Sequence, residues 1–100
     1  MLKVNVRPIA LDELERAWIW YEEQRPGLGD EFQSCVDAAL MAAARDPLAY
    51  PQVEGDLRRV LVRRFPYAML YLVEPDRIEV LAVFHGARDP REWRRRVGGG

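Results

Sequence analysis

The segment from residue 57 to residue 84, LRRVLVRRFPYAMLYLVEPDRIEVLAVF, determines the fold class. It contains three apolar runs bounded by turn residues: 57–65, which alternates with arginine, 67–73, and 78–84. Runs of this length are typical of β-strands, and the unbroken apolar character of the middle run indicates that it is the most buried. Pro66 and Pro75 lie in short connections, so we predict an antiparallel three-stranded meander.

Upstream of the meander, residues 3–7 alternate polar and apolar side chains, which predicts a strand that ends at Pro8. A helix of about 13 to 15 residues should follow, since apolar residues then recur at helical spacing. Its predicted stripe is Leu11, Leu14, Trp18 and Tyr21. Asp12 and Glu15 have the spacing of a capping box and predict the start of the helix.

A second helix is predicted directly after the breaker RPGLG at residues 25–29. Asp30 lies near its expected cap, and Pro47 and Pro51 end it. Its apolar stripe is Phe32, Val36, Ala39, Leu40 and Ala43. The short linker indicates a helical hairpin.

The order of these elements, β-α-α-β-β-β, predicts an α+β domain in which the hairpin packs on one face of a small, mostly antiparallel sheet. The other sheet face should be free for function. The sequence Asp89-Pro90 starts a predicted short C-terminal helix. We expect residues 1–96 to form a single domain and residues 97–100 to be a disordered tail.

Composition excludes several classes of protein. One cysteine and one histidine leave no internal disulfide and no basis for a protein-built metal site, so we predict neither a metal nor a cofactor. The apolar stretches are shorter than the roughly 20 residues of a membrane span, and the amino terminus lacks a run typical of signal peptides. The expected location is therefore the cytoplasm, without a membrane partner.

Charge is segregated along the chain. Residues 1–56 contain five Lys/Arg and eleven Asp/Glu, a charge of −6, whereas residues 57–100 contain ten Arg and five Asp/Glu, a charge of +5. Arginine presents a planar set of donors that suits phosphate and carboxylate groups. An anionic partner is one explanation, and a solvated surface paired with the acidic half is the other.

Four pieces of the sequence, in their order and spacing, resemble the RelE/ParE-type toxins of bacterial toxin–antitoxin systems. They are WYEEQRPGLG at 20–29, Asp46-Pro47 with Tyr50-Pro51, RRFPY at 63–67, and VFHGARDP at 83–90 followed by Trp93. Each piece alone is weak, but together they span nearly the whole chain. The fold of this family is the one expected above.

The resemblance implies a toxin held inactive in a hetero-oligomer with a cognate antitoxin, whose segment wraps the toxin and covers its basic surface. RelE-like members cleave messenger RNA on the ribosome without a metal, whereas ParE-like members poison DNA gyrase. RelE-like nucleases have an arginine directly after the tyrosine that begins the middle strand. Here Ala68 follows Tyr67. This difference favours the ParE-like activity, and an inactive binding module of the same fold is a further alternative.

The candidate site residues follow from these alternatives. For a nuclease the catalytic candidates are His85, Arg88 and Arg64, with His85 able to exchange protons near neutral pH and Tyr71 a further candidate. The residues expected to bind the target or the antitoxin are Arg58, Arg59, Arg63, Arg64, Arg88, Arg91 and Trp93. Successive strand residues face opposite sides, so each face should receive two of Arg58, Arg59, Arg63 and Arg64, and these four are not expected all to line one groove.

Overall fold

The computed structural model describes residues 1–86 and residue 95. Two helices, α1 (Pro8–Gln24) and α2 (Leu28–Arg45), lie on a five-stranded sheet, and a single 3-10 turn spans Pro47–Ala49. The strands are β1 (Lys3–Val6), β2 (Gln52–Glu54), β3 (Leu57–Leu61), β4 (Tyr67–Val73) and β5 (Arg77–His85). Their order in the sheet is β1-β5-β4-β3-β2. β1 pairs with β5 in parallel and all other pairs are antiparallel, which confirms the α+β prediction.

The predicted element order omitted one strand. β2 is only three residues long and pairs with the first two residues of β3. A strand this short is below the length at which alternation can be recognised. β3 is also shorter than predicted, because the chain turns after Leu61 and Arg64 adopts a left-handed φ of 73°.

Helix α1 begins earlier than predicted. Pro8 is its first residue and Arg7 its N-cap, without a side-chain capping bond, so the capping box proposed for Asp12 and Glu15 is wrong. Proline is favoured at this position because it needs no hydrogen-bond partner for an amide proton. Asp12 instead lies inside the helix and forms an ion pair of 3.0 Å with Arg16.

The buried face of α1 also differs from the predicted stripe. It consists of Ala10, Leu14, Ala17 and Tyr21. Leu11, predicted to be buried, has 56% of its surface exposed. Two alanines on the buried face allow the helix to lie close to the sheet. In α2, by contrast, all five predicted core residues are buried.

The helices meet in a close junction. Gly27 precedes α2 with a φ of 90°, and the Glu22 carboxylate accepts hydrogen bonds from the amides of Gly27 and Gly29 at 2.9 and 3.0 Å. Asp30 does not cap α2. Its carboxylate accepts a hydrogen bond of 3.2 Å from Trp18 Nε1, which links the two helices.

An aromatic cluster joins the helices to one face of the sheet. Tyr21 lies with its ring centroid 5.1 Å from Phe32 and 4.8 Å from Phe65, and Phe32 lies 5.2 Å from Tyr67. The Tyr21–Phe65 and Phe32–Tyr67 contacts are edge-to-face, a geometry that adds to the stability that comes from area burial. The cluster fixes the α2 side of the core against the turn that contains Arg63 and Arg64.

The second sheet face is not free, contrary to expectation. It carries a buried apolar cluster composed of Leu57, Ala68, Leu70, Leu81, Ala82 and Phe84. The pairing register shifts between Leu70 and Tyr71, which leaves Leu81 without a partner in β4. This bulge places two consecutive residues, Leu81 and Ala82, in the same cluster, where a regular strand would alternate.

The predicted C-terminal helix and the predicted boundary between the domain, 1–96, and its tail, 97–100, lie outside the described residues. None of the helices within residues 1–86 and 95 is long and apolar enough to cross a membrane.

Candidate functional site

A groove of about 730 Å³ lies between α2 and the outer side of β3. Its α2 wall consists of small side chains, and its β3 wall continues into the turn after that strand. The lining residues are Ser34, Cys35, Ala38, Ala39, Ala42, Tyr50, Pro51, Arg59, Val60, Leu61, Arg63 and Arg64. Every charged residue among these described lining residues is an arginine, so the groove combines apolar walls with a basic rim.

The four arginines of this region have different roles. Arg58 donates hydrogen bonds to the carbonyl oxygens of Tyr50, at 2.6 Å, and Leu48, at 3.2 Å, and thereby anchors the segment before β2. The other three, Arg59, Arg63 and Arg64, line the groove. The four do not all share one groove, as predicted, but the expected division of two to each strand face is wrong, because β3 ends at Leu61 and three of the four line the groove.

Arg64 is tied to helix α2 by Glu31. Arg64 Nη2 lies 3.0 Å from Glu31 Oε1, and the other carboxylate oxygen accepts from Arg25 at 2.9 Å. The hydrogen bonds from Arg64 and then Arg25 lower the pKa of Glu31, and Glu31 raises the pKa of Arg64. This bridge holds the turn after β3, with its left-handed Arg64, against the start of α2.

His85 lies in a different place. It pairs with Tyr67 across β5 and β4, with the ring centroids 5.3 Å apart, and lines a smaller depression of about 270 Å³ between α1 and β5. Trp20, which is 55% exposed, and Arg16 line the same depression. Arg64 does not line it, so the structure puts two predicted catalytic residues in separate depressions.

Tyr71 is unsuited to proton transfer. Its side chain is fully buried and its hydroxyl donates a hydrogen bond of 2.7 Å to the carbonyl oxygen of Pro47. Burial raises the pKa of Tyr71 to about 12. Ala68, where RelE-like nucleases have an arginine, is buried in the second-face cluster. The middle strand therefore presents neither residue to a substrate.

Comparison with known proteins identifies the family. The model of the family described as ParE toxin of type II toxin–antitoxin system, parDE, matches residues 4–90. The chain belongs to this family. Sequence relatives of this ParE-family toxin include Toxin ParE2 of two Mycobacterium tuberculosis strains, CDC 1551 / Oshkosh and ATCC 25618 / H37Rv. Each is 27% identical over 89 residues, which cover 88% of this chain and 85% of the relative.

The fold is shared with a solved structure. A chain of the chromosomal ParDE toxin–antitoxin system from P. aeruginosa superimposes with a TM-score of 0.73 and 13% sequence identity, over 85% of this chain and 96% of that chain. Family membership makes this protein the toxin component of a type II system and implies an antitoxin as its partner.

The ParE-family chain has no described cluster suited to a metal, since residues 1–86 and 95 bring no three His, Cys, Asp or Glu side chains together. Arg88, Arg91 and Trp93 lie outside the described residues. Cys35 lines the groove as a half-buried free thiol. The arrangement of the described candidates suits binding of an acidic, partly apolar surface more than acid–base chemistry.

Sequence reasoning missed Glu31 and Leu61. Glu31 bridges two arginines that are 39 positions apart in sequence, a relation that no local pattern contains. Leu61 ends β3 with 61% of its surface exposed, although the alternation of the strand was visible. The alternation along β3 could have identified Leu61, because it lies two positions after Arg59 and therefore faces the same side of the strand.

Proposed function

We propose that this ParE-family toxin inhibits DNA gyrase and is neutralised in a hetero-oligomer with its cognate antitoxin. Family membership supports the toxin role, and the separation of Arg64 from His85 supports gyrase over messenger RNA. The observation that carries the choice is the separation of the candidates: Arg64 and His85 line different depressions.

Metal-free RNA cleavage requires a base for the 2′-hydroxyl, a donor for the leaving oxygen and fixed positive charge at the same phosphate. Arg64 has the positive charge but is held by Glu31. His85 contacts Tyr67, and the Tyr71 hydroxyl is committed to Pro47. An inhibitor that acts by binding alone needs none of these proton transfers.

We propose the C-terminal arginine segment as the surface that meets the target. Arg88, Arg91 and Trp93 follow β5, and Arg94, Arg95 and Arg96 add charge that a folded core does not require. Gyrase bound to DNA presents an anionic surface, which arginine side chains recognise. Action on gyrase would take place in the cytoplasm.

Two assays on the purified toxin test the proposed activity. The toxin is incubated with gyrase and plasmid DNA, and separately with programmed ribosomes. We expect loss of supercoiling and accumulation of gyrase-linked DNA breaks, with intact messenger RNA. Efficient cleavage of ribosome-bound message would reverse the assignment, and the absence of growth arrest on expression would indicate an inactive binding module.

The role of the C-terminal segment has its own test. If Arg88 acts on the target, replacing it by alanine should abolish growth inhibition, and circular dichroism of the purified variant should show an unchanged fold. Lys3→Ala, at the opposite end of the chain, provides the control. A folded protein that stays fully toxic after truncation beyond Phe84 would exclude the segment as the effector surface.

A further inference from the structure

We propose that helix α1 forms the contact of a toxin homodimer, in which α1 of a second copy packs antiparallel against it about a two-fold axis. The contact consists of four residues on one flank of the helix, Ile9, Glu13, Arg16 and Trp20, which we call the α1 stripe. This inference goes beyond the inhibition of gyrase, because it concerns the association of the toxin with itself. None of the four residues lines the groove between α2 and β3.

The residues of the α1 stripe share one side of the helix. At about 100° per residue, positions 9, 13, 16 and 20 fall within a sector of about 60°. Ile9 is 49% exposed and Trp20 is 55% exposed, so large apolar side chains face solvent at both ends of a stripe about 16 Å long. Apolar side chains grouped in this way are typical of an interaction surface.

The spacing of the α1 stripe is the same from either end. Four, three and four positions separate its successive members. Their chemistry is apolar, acidic, basic and apolar in one direction, and apolar, basic, acidic and apolar in the other. In an antiparallel pair, Ile9 therefore meets Trp20 of the second copy, and Glu13 meets its Arg16. The two-fold axis repeats both contacts, as an isologous interface requires.

A depression beside the α1 stripe can receive an apolar side chain. It has a volume of about 270 Å³ and lies between Trp20 and Arg16 on α1 and Val83 and His85 on β5. In the antiparallel pair, Ile9 of the second copy lies opposite Trp20, at the mouth of this depression. The Trp20 ring is held by an edge contact with Tyr21, with centroids 5.1 Å apart. Burial of an aliphatic side chain against a preorganised indole stabilises the pair.

The two charged residues determine the direction of the pair. Glu13 Oε1 accepts a hydrogen bond of 2.9 Å from the amide of Val83, which holds the carboxylate beside the depression. Arg16 makes one ion pair within residues 1–86 and 95, from Nε to Asp12 at 3.0 Å, and a guanidinium has further donors for a second carboxylate. A parallel pair would place Glu13 opposite Glu13 and Arg16 opposite Arg16, so like charges disfavour it.

The charge of α1 disfavours a nucleic acid as the partner. The helix contains five acidic residues and one arginine, and would repel a polyanion. The four acidic residues other than Glu13 lie outside the sector of the α1 stripe and stay in solvent when two helices pair. A second copy is therefore the partner that this flank matches in charge and in apolar character.

Analytical ultracentrifugation of the purified full-length toxin tests the association. The wild type should sediment mostly as a dimer at about 100 μM and as a monomer at about 1 μM, as expected for a small interface. Trp20→Ala should weaken dimerisation by about 10-fold or more. Ile19→Ala is the matched control, because Ile19 is 44% exposed on the same helix but points about 100° away from Trp20. A monomeric wild type at 100 μM, or equal effects of the two variants, would overturn the proposal.

A charge cycle tests the pairing of Glu13 with Arg16. Arg16→Glu should weaken dimerisation by about 10-fold, because Glu13 of each copy then meets a glutamate. Adding Glu13→Gln should recover about threefold, since the amide oxygen can still accept from Val83 and the repulsion is gone. Arg45→Glu, an exposed charge reversal on α2, should change the affinity by less than about twofold. Circular dichroism verifies that the variants fold. Absence of recovery in the double variant would contradict the pairing.

Photo-cross-linking tests the orientation. The amino acid p-benzoylphenylalanine replaces Trp20 in one full-length variant and Ile19 in the control. We expect a product of dimer mass from position 20, with the cross-link near Ile9 of the second copy, and little product from position 19. A cross-link that joins position 20 to the same region of the second copy would show a parallel pair and overturn the proposal. The toxin is tested alone, so a failure of these experiments would leave the proposed action on gyrase unaffected.

Discussion

The hydroxyl of Tyr71 donates a hydrogen bond of 2.7 Å to the carbonyl oxygen of Pro47, which ties the central strand β4 to the turn after α2. Because the side chain is fully buried, Tyr71→Phe leaves that carbonyl without this donor and should lower the free energy of unfolding by about 1–2 kcal/mol. Growth inhibition should persist when the variant is folded. Denaturant titration measures the first effect and a plating assay the second. Abolished toxicity with unchanged stability would instead give this hydroxyl a functional role.

Glu79 makes stability depend on pH. Its buried carboxylate accepts hydrogen bonds from Arg77, from Asn5 and from Arg7, in that order of influence, and these lower the pKa of Glu79 to about 2. The folded pKa lies below the ordinary value of 4.5, so the stabilisation is fully present above about pH 4.5 and is lost as the pH falls toward 2.

The variant Glu79→Gln isolates this effect. Its free energy of unfolding should be about 2 kcal/mol lower than that of the wild type at pH 7, since the variant loses hydrogen bonds to a charged group. The difference from wild type should shrink between pH 4.5 and pH 2, where the wild-type carboxylate takes up its proton. Urea titrations at several pH values provide the measurement. A difference that stays constant down to pH 2 would show that the carboxylate charge is not responsible.

Gly29 allows α1 and α2 to approach each other. A Cβ atom at this position would lie 2.9 Å from the backbone oxygen of Trp18, and the backbone cannot move away cheaply. We expect Gly29→Ala to cost about 2 kcal/mol of stability. Gly55→Ala is the control, since its Cβ would meet open space and its cost, about 1 kcal/mol, comes from the left-handed φ alone. Thermal melts should show a lower melting temperature for Gly29→Ala than for Gly55→Ala. Equal melting temperatures would contradict this prediction.

His85 should be dispensable for toxicity. Its ring contacts Tyr67, so His85→Ala should lower the free energy of unfolding by at most about 1.5 kcal/mol and leave gyrase inhibition unchanged. His85→Phe preserves an aromatic contact and should recover part of the stability. If the alanine variant folded normally but lost activity by about 100-fold, a proton-transfer role for the histidine would replace this interpretation.

The sequence alone was sufficient to predict the α+β class, the helical hairpin and the meander. Residues such as Phe32, Val36 and Leu70 carry that information locally, because burial imposes a period of 3.6 on a helix and continuous apolarity on a central strand. The toxin family could also be predicted, since its motifs extend along the chain. Element ends were less predictable: at the start of α1, the preference of Pro8 for the first turn overrode the apparent capping box at Asp12.

Tertiary structure decided which of the candidate residues act together. The sequence contains the arginines, but only folding places Arg59, Arg63 and Arg64 along α2, pairs Arg64 with Glu31 and assigns Arg58 to backbone carbonyls. It also separates His85 from Arg64. The physical reason is that secondary structure follows from local periodicity, whereas a site depends on contacts between residues far apart in sequence. Those contacts are determined by helix packing, by strand register and by bulges such as the one at Leu81.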